Sequence, residues 1–170
     1  MEINEIIIRT TETCQKWHDE GLRSFEWKDL NLEPPLSHSV KNLYHNYCIW
    51  HCIEDYGGED REKVRFIYEG GAVHNKLRNH EAVSLDRYFT QYQSGGRLAS
   101  EGVGAILDKI NILTVKKMHL EDANDARLGM IEAHLANLVQ CAHELVWDMR
   151  SGQRWYAIFD RFKVTGEDFE

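Results

Sequence analysis

The sequence predicts an all-α protein, an up-and-down helical bundle with one long central helix and a short C-terminal capping helix, in a single domain over residues 1–170. Three observations predict it. Proline occurs only at Pro34-Pro35, so long stretches lack the residue that most strongly interrupts a helix. No segment sustains the apolar–polar alternation of a half-buried strand, whereas apolar residues recur at spacings of three and four. Glycines at Gly21, Gly57-Gly58, Gly95-Gly96 and Gly152 punctuate segments rich in helix formers.

The first helix is expected from Ile3 to Glu20, with Ile3, Ile7, Thr11, Cys14 and Trp17 nearly in line. A connector follows from Gly21 to Leu36, its Phe25 and Trp27 docking on the bundle. Ser37 suits the N-cap of a second helix, because its hydroxyl can accept from an unpaired backbone N–H. That helix places Val40, Leu43, Tyr47, Trp50 and Glu54 along one face and stops at Gly57-Gly58. The third segment, Glu59 to Gln93, carries Val64, Ile67, Gly71, His74, Arg78, Glu81, Leu85, Tyr88 and Tyr92 without a slip in phase. Such a seam belongs to a helix packed between neighbours. Its phase persists across Gly70-Gly71, which predicts one helix of roughly 50 Å at 1.5 Å per residue, although each glycine costs on the order of 1 kcal/mol.

A fourth helix runs from Glu101 to Leu120 with Val103, Leu107, Ile110, Thr114 and Met118 on one side. The fifth, Ala123 to Arg150, presents Leu128, Ile131, Leu135, Leu138, Ala142, Leu145 and Met149. Glu121, Asp122 and Asp125 favour its N-terminus through the helix dipole. Beyond Gly152, the capping helix presents Trp155, Ile158, Phe159 and Phe162.

Charge narrows the partners. Twenty Lys and Arg face 28 Asp and Glu, a formal net charge of −8, and no basic block is present to hold a nucleic-acid backbone. The longest aliphatic run, Ile6-Ile7-Ile8, is too short to span a bilayer. The acidic N-terminus lacks a charged-then-apolar leader, so a cytoplasmic protein with reduced thiols is expected. Cys48 and Cys52 stand four apart, neither a C-x-x-C pair nor a zinc knuckle. With His45 they make a conceivable soft-metal trio, though small thiols ordinarily fill core space. The P-loop, G-x-G-x-x-G, G-x-S-x-G and H-E-x-x-H motifs are all missing, which argues against the enzyme classes they mark.

The informative anomaly is polar. His74, Arg78 and Glu81 occupy the middle of an otherwise apolar seam, where an unpaired charge would cost several kcal/mol. The second helix offers His51, Glu54 and Asp55 as partners; the fourth offers Asp108, Lys116 and His119. In one reading these residues enclose a pocket. Arg78 and Lys116 clamp an anion, His51, His74 and Glu81 supply acid–base groups, and Glu54, Asp108 and His119 ligate a divalent metal ion. Its sharpest form is metal-assisted hydrolysis of a phosphorylated small molecule. The helical nucleoside-polyphosphate pyrophosphatases offer a fold-level analogy, but their paired E-x-x-E and E-x-x-D carboxylates are not reproduced. In the other reading the cluster only fixes helix register. The protein is then a non-enzymatic interaction or assembly module, able to form homo-oligomers, with Trp27, Trp155 and Tyr156 marking an interface.

Several of these residues also carry a resemblance. Asn46, Trp50-His51, Glu54-Asp55, Asn75, Arg78-Asn79, Leu85-Asp86, Leu107-Asp108, Leu113, Lys116, His119, His134 and Arg161-Phe162-Lys163 follow one another in an order similar to that of an uncharacterised bacterial helical family, the domain of unknown function numbered 4254. The resemblance spans Leu43 to Lys163 and implies an all-helical protein without assigning an activity. The chain departs from it in three ways: the gap between Trp50-His51 and Glu54-Asp55 is one residue longer than the family's, His80 stands where the family carries aspartate, and Val83 where it carries glutamate.

Overall fold

The computed structural model describes residues 1–20, 31–54 and 61–156, with the backbone alone over 52–54 and 61–69. These residues form helices α1 (Ile3–Glu20), α2 (Leu36–Glu54), α3 (Arg61–Thr90), α4 (Val103–Asp122) and α5 (Leu128–Arg150), with two-residue strands β1 (Arg97–Leu98) and β2 (Arg154–Trp155). The architecture is an all-α bundle. Helix α2 packs most extensively on α3, and α4 on α5, with α1 laid against α2 and α4.

Helix α1 has the bounds its periodicity predicts and buries Ile3, Ile6, Ile7, Thr10, Cys14 and Trp17. Helix α2 starts at Leu36, one residue ahead of the expected cap. Ser37 therefore lies inside the first turn and donates its backbone N–H to Glu33 O at 3.2 Å. Helix α3 runs unbroken through Gly70-Gly71. From Gly71 to Tyr88 the predicted seam is its least exposed face, and Glu81 and Leu85 are buried. The seam ends there, because Tyr92 lies in the turn after the helix and is exposed. Towards its C-terminus the buried surface widens to include Ala82, Asp86 and Phe89.

Helices α3 and α4 meet closely at Gly104, where any β-carbon would collide with the carbonyl oxygen of Ala82. The Gly104 N–H donates to buried Asp86 Oδ1 at 2.7 Å. A carboxylate thus satisfies one orphan donor at the N-terminus of α4 and complements its dipole. Helix α5 follows its predicted ladder along its length, half-buried at Leu128, Ile131, Leu135 and Leu138 and buried at Ala142, Leu145 and Met149. It begins at Leu128 rather than Ala123. Glu121 and Asp122 close α4, and of the three acidic residues only Asp125 serves the start of α5, accepting from the Arg127 N–H at 2.8 Å.

The segment after Gly152 departs from expectation at its start. Trp155 belongs to β2, which pairs in parallel with β1 through Arg97 N–H to Gln153 O at 2.8 Å and Ala99 N–H to Trp155 O at 2.7 Å. Tyr156 is buried, not an exposed interface residue, and donates its backbone N–H to Gln93 Oε1 at 2.8 Å. The remaining expected capping residues, Ile158, Phe159 and Phe162, lie outside the described residues, as do Phe25, Trp27 and Asp55. Among the described residues no helix is long and apolar enough to cross a membrane.

Candidate functional site

Helix α2 is enclosed on two sides. Leu36, Val40, Leu43 and Tyr47 join the apolar core, while Ser39, Asn42, His45 and Asn46 are buried polar residues. Against α3 the polar side forms three rungs. His38 Nδ1 lies 2.6 Å from Glu81 Oε2, Asn42 Nδ2 donates to the main-chain oxygen of Arg78 at 3.0 Å, and His45 Nδ1 lies 3.1 Å from His74 Nδ1. Each step forward along α2 is matched by a step back along α3, which is the register of an antiparallel pair. At the first rung the carboxylate accepts, so His38 carries the hydrogen on Nδ1. At the third, one imidazole must donate and the other accept, so the pair is satisfied when both rings are neutral. Burial and the neighbouring His74 push His45 down to about 4, against the pull of Glu81; burial also lowers His74.

Next to these rungs an amide network ties α2 to α4. Asp108 Oδ1 accepts from Asn42 Nδ2 at 2.9 Å and from Asn46 Nδ2 at 3.1 Å, and lies 3.5 Å from Arg78 Nε as an ion pair. Arg78 Nη1 donates to Asn46 Oδ1 at 3.3 Å. Asn42 Oδ1 accepts from Asn46 Nδ2 at 3.0 Å and from Asn111 Nδ2 at 2.9 Å. Asn111 also donates to Ser39 O at 3.2 Å, and Ser39 Oγ accepts from Thr10 Oγ1 at 2.9 Å, which brings in α1. The Arg78–Asp108 pair is mostly screened from water, with side chains 21% and 15% exposed. Two amides share the carboxylate of Asp108, while the buried Arg78 Nε makes no hydrogen bond among the described residues and meets Asp108 only as an ion pair.

Beside this network a cavity of about 360 Å³ is lined by Asn46, Ile49 and Trp50 of α2, Arg78 of α3, and Ile112, Val115 and Lys116 of α4. The two expected anion-binding residues, on different helices, therefore border one space. Lys116 has no carboxylate within 4.0 Å among the described residues, unlike Lys117, which pairs with Glu121 and Glu132 at 3.3 Å. The Trp50 indole N–H is buried with no acceptor among the described residues, and its ring stacks on His119 at 5.1 Å between centroids.

Of the expected acid–base and metal residues, those with described side chains do not line the cavity, though Asp108 and His119 adjoin it through Arg78 and Trp50. His74 and Glu81 occupy separate rungs of the α2–α3 seam. His51 is exposed, with its ring against Tyr47 at 4.5 Å and His119 at 5.5 Å. It does not converge with His74. A second aromatic cluster gathers there: His18 packs edge-on to His119 at 5.3 Å and holds Asp122 Oδ2 at 2.8 Å. Asp108 and His119 stand three turns apart on α4, roughly 16 Å along its axis, so they cannot share one ion. The Glu54 side chain lies outside the described residues, as does that of Cys52 in the proposed soft-metal trio. Among the described residues no three His, Cys, Asp or Glu side chains are placed to hold a metal ion.

Asn42 and Asn111, the hub of the network, were not singled out by the sequence reading. Their signal is asparagine in mid-helix beside core positions, Val40 and Leu43 for one and Ile110 for the other. Asparagine favours caps and turns over helix interiors, so this placement implies a partner. No family model, curated protein or solved structure matches the chain.

Proposed function

We propose that the cavity between α2, α3 and α4 binds an anionic small molecule, with Arg78 and Lys116 as the cationic clamp and Asn46 as a neutral neighbour. One observation carries this reading: two cations from separate helices border one cavity, and among the described residues only Arg78 is paired with a carboxylate. With Arg78 matched by Asp108, Lys116 leaves a surplus positive charge that a bound anion would balance. Arg presents a planar fork and Lys a mobile point charge, a combination suited to a carboxylate or a phosphate.

Among the described residues the cavity lining includes neither histidine nor carboxylate, whereas general acid–base work needs such a group within hydrogen-bond reach, and this favours binding over hydrolysis. A structural role for part of the cluster is supported separately by the Asn42–Asn46–Asn111–Asp108 hydrogen bonds. They hold the Asp108-facing side of Arg78 whether or not anything binds. Membership in the 4254 family and a cytoplasmic setting belong to the same proposal, the first because most of the resembling positions fall on α2, α3 and α4.

The test is thermal unfolding in the presence of millimolar inorganic phosphate, acetate, hexanoate or a sugar phosphate, for wild type and Lys116→Gln. Saturating ligand at about 100 times its Kd stabilises by about 2.7 kcal/mol, a shift of several degrees for a chain of this size. A wild-type shift that the variant loses supports the reading. Indifference to every anion, or equal shifts in the variant, overturns it.

A further inference from the structure

The lining of the cavity says more about its ligand than its charge does. Ile49, Ile112 and Val115 contribute apolar walls, and the indole of Trp50 a fourth surface, against Asn46, Arg78 and Lys116. At about 360 Å³ the space holds the equivalent of roughly twelve waters at ~30 Å³ each. A carboxylate or phosphate head fills only a fraction of that. The rest faces mainly the apolar side chains Ile49, Ile112 and Val115, surface that an apolar ligand body would remove from water.

We infer that the ligand is an amphiphilic anion, a single carboxylate or phosphate head carried on a compact apolar body, with the head at Arg78 and Lys116 and the body against Ile49, Ile112 and Val115. This rests on the anion-binding reading and narrows it. A free inorganic ion would leave the apolar walls uncovered, and a sugar phosphate would bring hydroxyls to walls without acceptors. The surplus of one positive charge matches one anionic head rather than a polyphosphate. Trp50 lines the cavity and is held by stacking on His119.

The experiment is calorimetric titration of the full chain with acetate, butyrate, hexanoate and octanoate, and with inorganic phosphate and neutral hexanol. If the body is buried against apolar walls, affinity rises about fourfold per methylene from butyrate to hexanoate and levels off once the cavity is filled. Lys116→Gln weakens every carboxylate by roughly tenfold, the scale of one hydrogen bond to a charged group, without flattening the chain-length series. Ile112→Ala flattens the series while leaving acetate unchanged. Val115→Ala repeats that measurement should Ile112→Ala fail to fold. If phosphate and acetate bind as tightly as hexanoate, the amphiphile inference is overturned while the anion reading stands. Equal binding of hexanol and hexanoate overturns the anionic head. No binding by any of the probes overturns the anion reading itself.

Discussion

The buried pair His45–His74 makes stability depend on acid in a way that can be measured. His45 is 8% exposed, and its conjugate acid is disfavoured first by burial, then by His74 and Lys41, with Glu81 acting in the opposite sense. The unfolded chain releases its histidine proton near 6.5, and the folded chain holds His45 neutral down to about 4. Between those values the unfolded state binds more protons, so stability rises with pH across the window and is lost as pH falls through it. The slope from this one group approaches 1.36 kcal/mol per pH unit, and the full window amounts to roughly 3 kcal/mol. That is a substantial part of the 5–15 kcal/mol that typically holds a domain together.

The variant is His45→Gln, which removes the titrating ring. Urea unfolding is followed at pH 7.5, 6.5, 5.5 and 4.5, and wild type is compared with variant at each pH, so that carboxylates common to both cancel. Wild type should lose roughly 2–3 kcal/mol more than the variant over this range, a difference in melting temperature of about 4–12 °C. The His45 ring, followed by NMR, should titrate near pH 4. Parallel pH profiles for the two proteins would refute the argument, since a solvated His45 would titrate identically folded and unfolded.

Other consequences follow from single contacts. Asn42→Ala removes the hub that serves Arg78 O, Asp108, Asn46 and Asn111, and should cost about 2–4 kcal/mol in chemical denaturation because several buried groups lose partners together. Two helical glycines should respond with opposite sign. Gly70→Ala meets nothing within 4 Å and should stabilise by about 0.5–1 kcal/mol, whereas Gly104→Ala forces α4 away from the Ala82 carbonyl and should destabilise by about 1–3 kcal/mol or more. Among the cysteines, exposed Cys141 should react with a thiol reagent at once in the native state. Buried Cys14, its thiol pushed up to about 12 by burial, should react only on unfolding.

Periodicity made most of the bundle legible. It reports angular position around a helix axis, and for that reason the ladders of α1 and α5, and the seam of α3 from Gly71 to Tyr88, hold residue by residue. What it does not report is which neighbour a given angle faces. The sequence offers His51 as a partner for His74 across α2 and α3, yet exposed His51 meets His119 on α4 and His74 meets His45 on α2. Strand β2 was illegible for a different reason, since its pairing runs through backbone bonds to Arg97 and Ala99 that impose no side-chain pattern. The start of α2 was misplaced because backbone carbonyls of Glu33 and Pro35 accept from Ser37 and Ser39, leaving no role for a hydroxyl cap.

Arg78 is legible because it interrupts the inward seam of α3 with a cation, and a cation there needs either a carboxylate or a ligand; Lys116 enters only as a partner offered by α4. The two side chains answer that need differently. Arg78 is held from several directions: its backbone oxygen by Asn42, its Nη1 by Asn46 and its Nε side by Asp108. Its position is therefore fixed before any ligand arrives, and the ordering cost of that side chain is met during folding rather than on binding. Lys116 lacks such partners among the described residues and retains its rotamer freedom. A network built mainly of asparagines suits this division: with Asp108 already matching Arg78, the neutral amides add hold without adding charge, whereas a second carboxylate in place of Asn46 would cancel the surplus positive charge of the cavity. The buried amides thus serve the register of α2 against its neighbours and keep the cationic wall in place with the same hydrogen bonds.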